Sequence, residues 1–203
     1  MPKNLFWYMG IGAVGVYLFA TILGGFLFPH YSHISQAISE LVGSHAPTRT
    51  LLNPIFLLYN LLLVGFTIGL YTKWNNKFTK LGAITLVILC IASILMWWFP
   101  MDSRGYPATQ NGLVHIILAS IESLATIIAT FLFGFGLKKK EHLLSKISIT
   151  AGISLLIIGP IAGFTVTQNS PFMGFVERIT IGIFLLWVFI FSIIILKKNE
   201  NIN

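Results

Sequence analysis

Six long apolar runs alternate with short polar stretches along the chain: Leu5–Phe28, Ile55–Tyr71, Leu81–Phe99, Leu113–Leu137, Ile147–Thr167 and Phe172–Leu196. Each approaches the roughly 20 residues that an α-helix needs to cross a bilayer. The second run reaches that length only if Leu51 and Leu52 extend it backwards through Pro54, which a helix tolerates near its start. Membrane-spanning strands would instead alternate in segments of about ten residues. The pattern therefore predicts an all-α polytopic membrane protein, with six transmembrane helices in one bundle and a single domain over residues 1–203.

The residues between the runs sharpen the boundaries. Pro29 and Pro100 each follow a phenylalanine and stop a helix, and Asn75-Asn76 marks a tight turn. Asn111-Gly112 opens the fourth span. Ser170 is expected to cap the sixth, with Pro171 at its first helical position. Gly159-Pro160 falls inside the fifth span and predicts a kink there. Between the first two spans, segment 30–53 carries Ile34, Ile38, Leu41 and Val42 at helical spacing, followed by Gly43 as an expected C-terminal cap. This predicts a short amphipathic helix, either an interfacial element or a lid bearing Ser39 and Glu40 over a cavity.

Charge then orients the chain. Only 9% of residues are charged, against about 25% in soluble domains, so no water-facing surface is available for a soluble fold. Lys3, Lys73, Lys77, Lys80, Lys138, Lys139, Lys140, Lys146, Lys197 and Lys198 all flank apolar runs on one side. The loops on the other side hold Arg49, Arg104 and Arg178 with Glu40, Asp102 and Glu177. The positive-inside rule puts the lysine side in the cytoplasm, with both termini, and the polar loops outside a bacterial plasma membrane. The net charge of +7 then reads as membrane anchoring, with lipids as the partners, and not as nucleic-acid binding. A single cysteine, Cys90, excludes an intrachain disulfide. The first run is too long for a signal peptide's apolar region and is expected to remain as a membrane helix.

Candidate chemistry gathers on the outer side. Asp102 directly follows Trp97-Trp98, an expected interfacial belt, and is placed to cap a turn or pair with Arg104. His115 and Glu122 lie seven residues apart on one face of the fourth span, with Glu122 about 10 Å deeper. A buried glutamate must be protonated, paired or open to water. The plainer account is a neutral acid hydrogen-bonded between helices. Glu177 and Arg178 open the sixth span, and the Arg178 fork suits a carboxylate or phosphate.

Several of these residues fall in a pattern: Ser35-x-x-x-Ser39-Glu40-Leu41, Phe99-Pro100-x-Asp102, His115 at a helix start, and Gly174-x-x-Glu177-Arg178. The pattern resembles the bacterial and archaeal membrane family catalogued as domain of unknown function 998, over almost the whole chain. The resemblance implies six spans and an external polar site at Ser39, Glu40, Asp102, His115 and Arg178, with no established reaction. Glu122 has no counterpart in it. A looser likeness runs to zinc-dependent membrane hydrolases such as alkaline ceramidases. The chain departs from them, having no H-x-x-x-H spacing; a metal would need His115, Asp102 and Glu40, with His33 as a further ligand.

Three functions stay open. The first is a binding or transport protein whose outer pocket takes a lipid or small ligand through Ser39, Glu122, Glu177 and Arg178. The second is a membrane-embedded enzyme using His115, Asp102 and Glu40 for acid–base or metal-assisted chemistry on a lipid. The third is a scaffold whose polar face only locks helices together. The sequence names no cofactor and no oligomeric state.

Overall fold

A computed structural model describes residues 4–168 and 170–201, except for the side chain of Thr167. Lys3 lies outside them. Six helices account for most of the chain: α1 Leu5–Leu27, α2 Arg49–Lys73, α3 Lys77–Leu95, α4 Gln110–Leu137, α5 His142–Thr167 and α6 Met173–Glu200. All six are long and apolar enough to cross a membrane, and no strand occurs among the described residues. The protein is an all-α, multi-pass membrane protein.

Local chemistry moves several boundaries from their expected places. α2 starts at Arg49, so Leu51 and Leu52 do join it and Pro54 is enclosed near its start. α3 ends at Leu95, leaving Trp97 and Trp98 in a turn. Thr109 caps α4, its hydroxyl accepting from the Gly112 N–H at 3.1 Å. Ser170 does not cap α6. It builds a turn before the helix, its hydroxyl accepting from the Phe172 N–H at 3.3 Å and its carbonyl from the Met173 N–H at 3.2 Å. α5 runs unbroken through Pro160.

The expected amphipathic helix over 30–53 is not present. Its only helical part is a 3-10 turn, Ser39–Val42, and residues from Arg49 onwards belong to α2. Ile38 and Leu41 are buried, but Ile34 is 56% exposed. A helix cannot propagate here because side chains take the backbone groups it would use. Arginines and a tyrosine bind the carbonyls of Ser35, Gln36 and Ala37, while glutamates bind the amides of Ala37 and Ile38. Gly43 sits at φ −59°, so it makes no left-handed cap.

The helices form a ring in chain order, each packed on the next, with α6 closing on α1. Trp187 of α6 fills the centre of one half. Its ring meets Phe66 of α2, Phe133 of α4 and Phe191 of α6 at centroid distances of 6.2, 5.5 and 4.4 Å. Its indole N–H donates to Ser148 of α5 at 3.0 Å. Phe26, Ile22, Phe164 and Leu124 face outward on the spans, as a lipid-facing surface requires.

Charges separate to the two ends. At the lysine end, Lys198 pairs with Glu141, Lys73 donates to Asn199 at 3.1 Å, and Asn199 donates to Asn4 at 2.9 Å. Asn76 caps α3 there and donates to the Gly136 carbonyl at 3.0 Å. The opposite, carboxylate end holds Glu40, Asp102, Glu177 and all three arginines.

Candidate ligand site at the carboxylate end

Loop residues 31–42 seal this end of the ring as a plug. Ile38 and Leu41 enter an apolar cluster with Ala20 of α1 and Leu52 of α2. Burying Ile38 and Leu41 draws backbone amides and carbonyls into the protein, where each needs a partner. Four charged groups supply them: Glu40, Arg104, Glu177 and Arg178. Glu40, 6% exposed, receives Arg104 as a fork, Nε to Oε2 at 2.9 Å and Nη2 to Oε1 at 3.0 Å. It also accepts from the Ala37 N–H at 2.8 Å and the Gln36 amide at 3.3 Å. Arg104 donates in addition to the Ser35 carbonyl.

From α6, Arg178 donates to the Gln36 and Gly174 carbonyls, both at 2.9 Å, and to the Tyr31 hydroxyl at 2.7 Å. Glu177 accepts from the Ile38 N–H at 2.6 Å and from the Ser39 amide, so it caps the 3-10 turn. Phe175 N–H donates to the Ile34 carbonyl at 2.9 Å. This contact requires glycine at 174, where a Cβ would lie 2.0 Å from the Gln36 carbonyl oxygen. Burial pushes the Tyr31 hydroxyl up to about 12, opposed by the hydrogen bond and charge of Arg178. His33, edge-on to Tyr31, is lowered from 6.5 by burial and then by Arg178.

Asp102 and His115 form a separate group. Asp102 accepts from the Thr109 N–H at 2.9 Å and the Thr109 hydroxyl at 2.6 Å. Those two bonds hold its carboxyl below 3.8, the hydroxyl having the larger effect. Gly112 makes room for the carboxylate, since a Cβ there would come within 2.0 Å of it. His115 is 5% exposed, with Nδ1 2.9 Å from the Phe99 carbonyl. A carbonyl only accepts, so Nδ1 carries the proton and Nε2 is left as the acceptor. The charges of Asp102 and His115 interact, but the two side chains share no hydrogen bond.

Next to this group a cleft of about 380 Å³ opens between loop 101–108 and the facing ends of α5 and α6. The loop contributes Asp102, Ser103, Arg104 and Tyr106 with Ala108, and the helix ends contribute Val166 and Met173. Tyr106 stacks on His45 at 3.9 Å.

The structure thus divides the sequence's candidates. Glu40, Glu177 and Arg178 meet on the plug. Ser39 lies on it too, its hydroxyl directed at Met101 sulfur at 3.0 Å. Arg104 pairs with Glu40 and not with Asp102, which its position in the chain had suggested. Glu122 stands deeper, with the Ser93 hydroxyl as its side-chain partner. His115, Asp102 and Glu40 are not brought together as metal ligands: each is held by a different partner, and no group of three His, Cys, Asp or Glu able to hold a metal occurs among the described residues. Sequence reasoning missed Tyr31, Gln36 and Thr109. Thr109 was findable as a capping residue type just before the fourth span; Tyr31 and Gln36 carried no signal beyond being polar.

The sequence model of a family described as "Protein of unknown function (DUF998)" matches residues 11–194. The chain belongs to the DUF998 family. The match takes in the plug, the Asp102 loop, His115 and the start of α6, which are the segments that carried the resemblance. The family's description states no activity. No curated protein and no solved structure matches the chain.

Proposed function

We propose that this DUF998 protein binds a lipid headgroup, or a small ligand of the same chemistry, in the cleft beside Asp102 and Arg104. The lysine end faces the cytoplasm of a bacterial cell, and the cleft opens on the outer leaflet of the plasma membrane. The observation that carries the reading is the two-sided lining of the cleft. A carboxylate and a half-exposed guanidinium stand on one side, and Val166 and Met173 on the other. A zwitterionic headgroup presents the complementary charges, phosphate to Arg104 and ammonium to Asp102, with its first methylenes against the apolar wall. About 380 Å³ is a volume that small-ligand sites commonly have. The lysine clusters support the orientation through the positive-inside rule.

Ala108→Trp fills the cleft and removes no hydrogen bond. Native mass spectrometry of purified protein should show phosphatidylcholine or phosphatidylethanolamine retained by the wild type and lost from this variant at an unchanged unfolding midpoint. Equal retention by both would end the reading. Cys90 is buried, so single cysteines at Gly105 and Lys139 report sidedness over a low background. Impermeant labelling of intact cells should reach the first and not the second.

A lipid-directed acid–base enzyme is the second reading, supported by the free Nε2 of buried His115 near Asp102. It ranks lower because both Asp102 oxygens accept from Thr109 and Glu40 is neutralised by Arg104. It requires a lipid turnover that His115→Gln abolishes without loss of fold.

A further inference from the structure

The lysine end holds a second cleft, which shares no residue with the one beside Asp102. It encloses about 90 Å³ between the α2–α3 turn and the end of α4, lined by Lys73, Trp74, Asn75, Asn76, Gly136 and Lys140. Hydrogen bonds fix its walls. Asn76 donates to the Gly136 carbonyl at 3.0 Å and accepts from the Thr79 N–H at 3.1 Å, which ties the turn to α4. Trp74 in the turn is buried, and Lys73 is steadied by its bond to Asn199.

Groups that would oppose an anion here are already engaged. The last carbonyls of α4 form the negative pole of that helix. Gly134 accepts from the Ser145 hydroxyl at 2.7 Å, Gly136 from Asn76, and Leu137 from the Lys140 and Glu141 amides at 3.1 and 2.8 Å. The Glu141 carboxylate pairs with Lys198. Among the described residues no carboxylate pairs with Lys140. α3 begins at Lys77 beside the cleft, so the positive pole of its dipole adds to the lysine charge.

Carbon surface leads away from the cleft toward the middle of the spans. Phe78, 49% exposed, packs beside Gly136, its Cβ 3.0 Å from where a Cβ on that glycine would stand. Phe135 is exposed and stacks on Phe131, one turn further into the span, at 6.1 Å.

We propose that this cleft seats the phosphate of an anionic phospholipid from the leaflet at the lysine end. Lysine ammonium groups bind phosphate as point charges, and Lys73 and Lys140 line one small cleft. Its volume admits a phosphate but not a whole lipid, so the chains must lie outside, over the exposed rings of Phe78 and Phe135. A free phosphate would leave those rings unused, which favours a lipid. A choline headgroup would bring its own cation against the two lysines, so an uncharged headgroup such as glycerol is preferred. The other lysines of this end draw anionic lipid to the same surface. The two ends thus differ in chemistry: a zwitterionic headgroup at Asp102 and Arg104, an anionic one here.

The test titrates the full-length protein in detergent, at fixed physiological ionic strength, with phosphatidylglycerol, phosphatidylcholine or inorganic phosphate, and counts bound molecules by native mass spectrometry. At this end phosphatidylglycerol should bind best. Lys140→Gln leaves the Lys73–Asn199 bond intact and should weaken it about fivefold, the worth of one lysine at an anionic lipid surface; adding Lys73→Gln should bring the loss to about thirtyfold. Lys146→Gln removes the same charge from an exposed position outside the cleft and should change binding less than about twofold, because salt screens it. Equal losses in Lys140→Gln and Lys146→Gln would mean diffuse attraction and overturn the proposal. Inorganic phosphate binding as tightly as phosphatidylglycerol would overturn the assignment to a lipid. Ala108→Trp should leave phosphatidylglycerol binding unchanged; its loss there would put the anionic lipid in the opposite cleft and overturn this site while supporting the other.

Discussion

In the lysine half the ring's centre is filled with carbon: Trp187, Phe66, Phe133 and Phe191 are each at most 1% exposed and touch across α2, α4 and α6. In the carboxylate half the centre is closed by a loop whose backbone is held by Glu40, Arg104, Glu177 and Arg178. The first closure depends on shape and on contacts summed over many atoms. The second depends on a few directional bonds, several of them from a guanidinium to a carbonyl oxygen. An anionic ligand offers the same guanidinium a stronger partner. One half is therefore built to stay shut, while the other is closed by bonds that can be exchanged. Segments held in the second way are where local opening occurs at least cost.

Trp187→Ala should give the largest effect, a loss of about 3–5 kcal/mol, since it empties the hub of the aromatic half. Chemical unfolding in detergent measures it, and a loss under about 1 kcal/mol would mean this half is not the stable one. At the other end the strongest steric lever is Gly174→Ala, expected to cost about 1–3 kcal/mol because the obstructing atom is backbone and the plug must shift. Gly182 of the same helix has nothing within 4 Å of an added Cβ. Gly182→Ala is expected to be neutral or to gain about 0.4–1 kcal/mol. If the two alanines behaved alike, the plug would not be seated on α6.

The Glu40–Arg104 pair comes next. Its carboxylate is buried and its arginine 48% exposed, so its coupling should fall between that of buried and surface pairs, about 1–2 kcal/mol. A double-mutant cycle with Glu40→Gln and Arg104→Gln measures it. Either single change should speed amide exchange across residues 35–42 while leaving α6 around Trp187 protected. Loss of protection at both places together would show that the two halves open as one unit.

These contrasts were legible in the sequence to different degrees. Six spans and two oppositely populated ends follow from run length and lysine placement, because a bilayer imposes both on any chain that crosses it. Trp187 could not be singled out, since an apolar residue in an apolar run shows no preferred face until its neighbours are known. The plug was misread as an amphipathic helix. Its apolar spacing satisfied helical periodicity, but the deciding contacts are long-range: Arg104 and Arg178 take carbonyls that a helix would need. Periodicity reports only local interactions, so pairings such as Glu40 with Arg104 stay invisible to it. Residue type did serve where the structure is local, as in the tight turn at Asn75-Asn76 between α2 and α3. It failed at Ser170, whose turn ends before α6 begins.

The smallest expected effect compares two helix caps, one from each end. Asn76 caps α3 at the lysine end with an amide that does not titrate. At the carboxylate end Asp102 supports the α4 cap by accepting from both Thr109 groups. Its carboxyl is held below the ordinary 3.8 in the folded protein, so over the window just below 3.8 the unfolded chain binds more protons than the folded one. Stability from this cap is therefore fully present above 3.8 and is lost as pH falls through the lower folded value. Asp102 is a loop residue in contact with solvent, so the loss should be local. Exchange of the α4 first-turn amides should accelerate in acid, while the α3 first turn keeps its pH 7 protection. Asp102→Asn at pH 7 should reproduce the acid result, since an amide cannot accept at both positions. If both first turns loosened together in acid, the loosening would come from a general acid effect and not from the Asp102 cap.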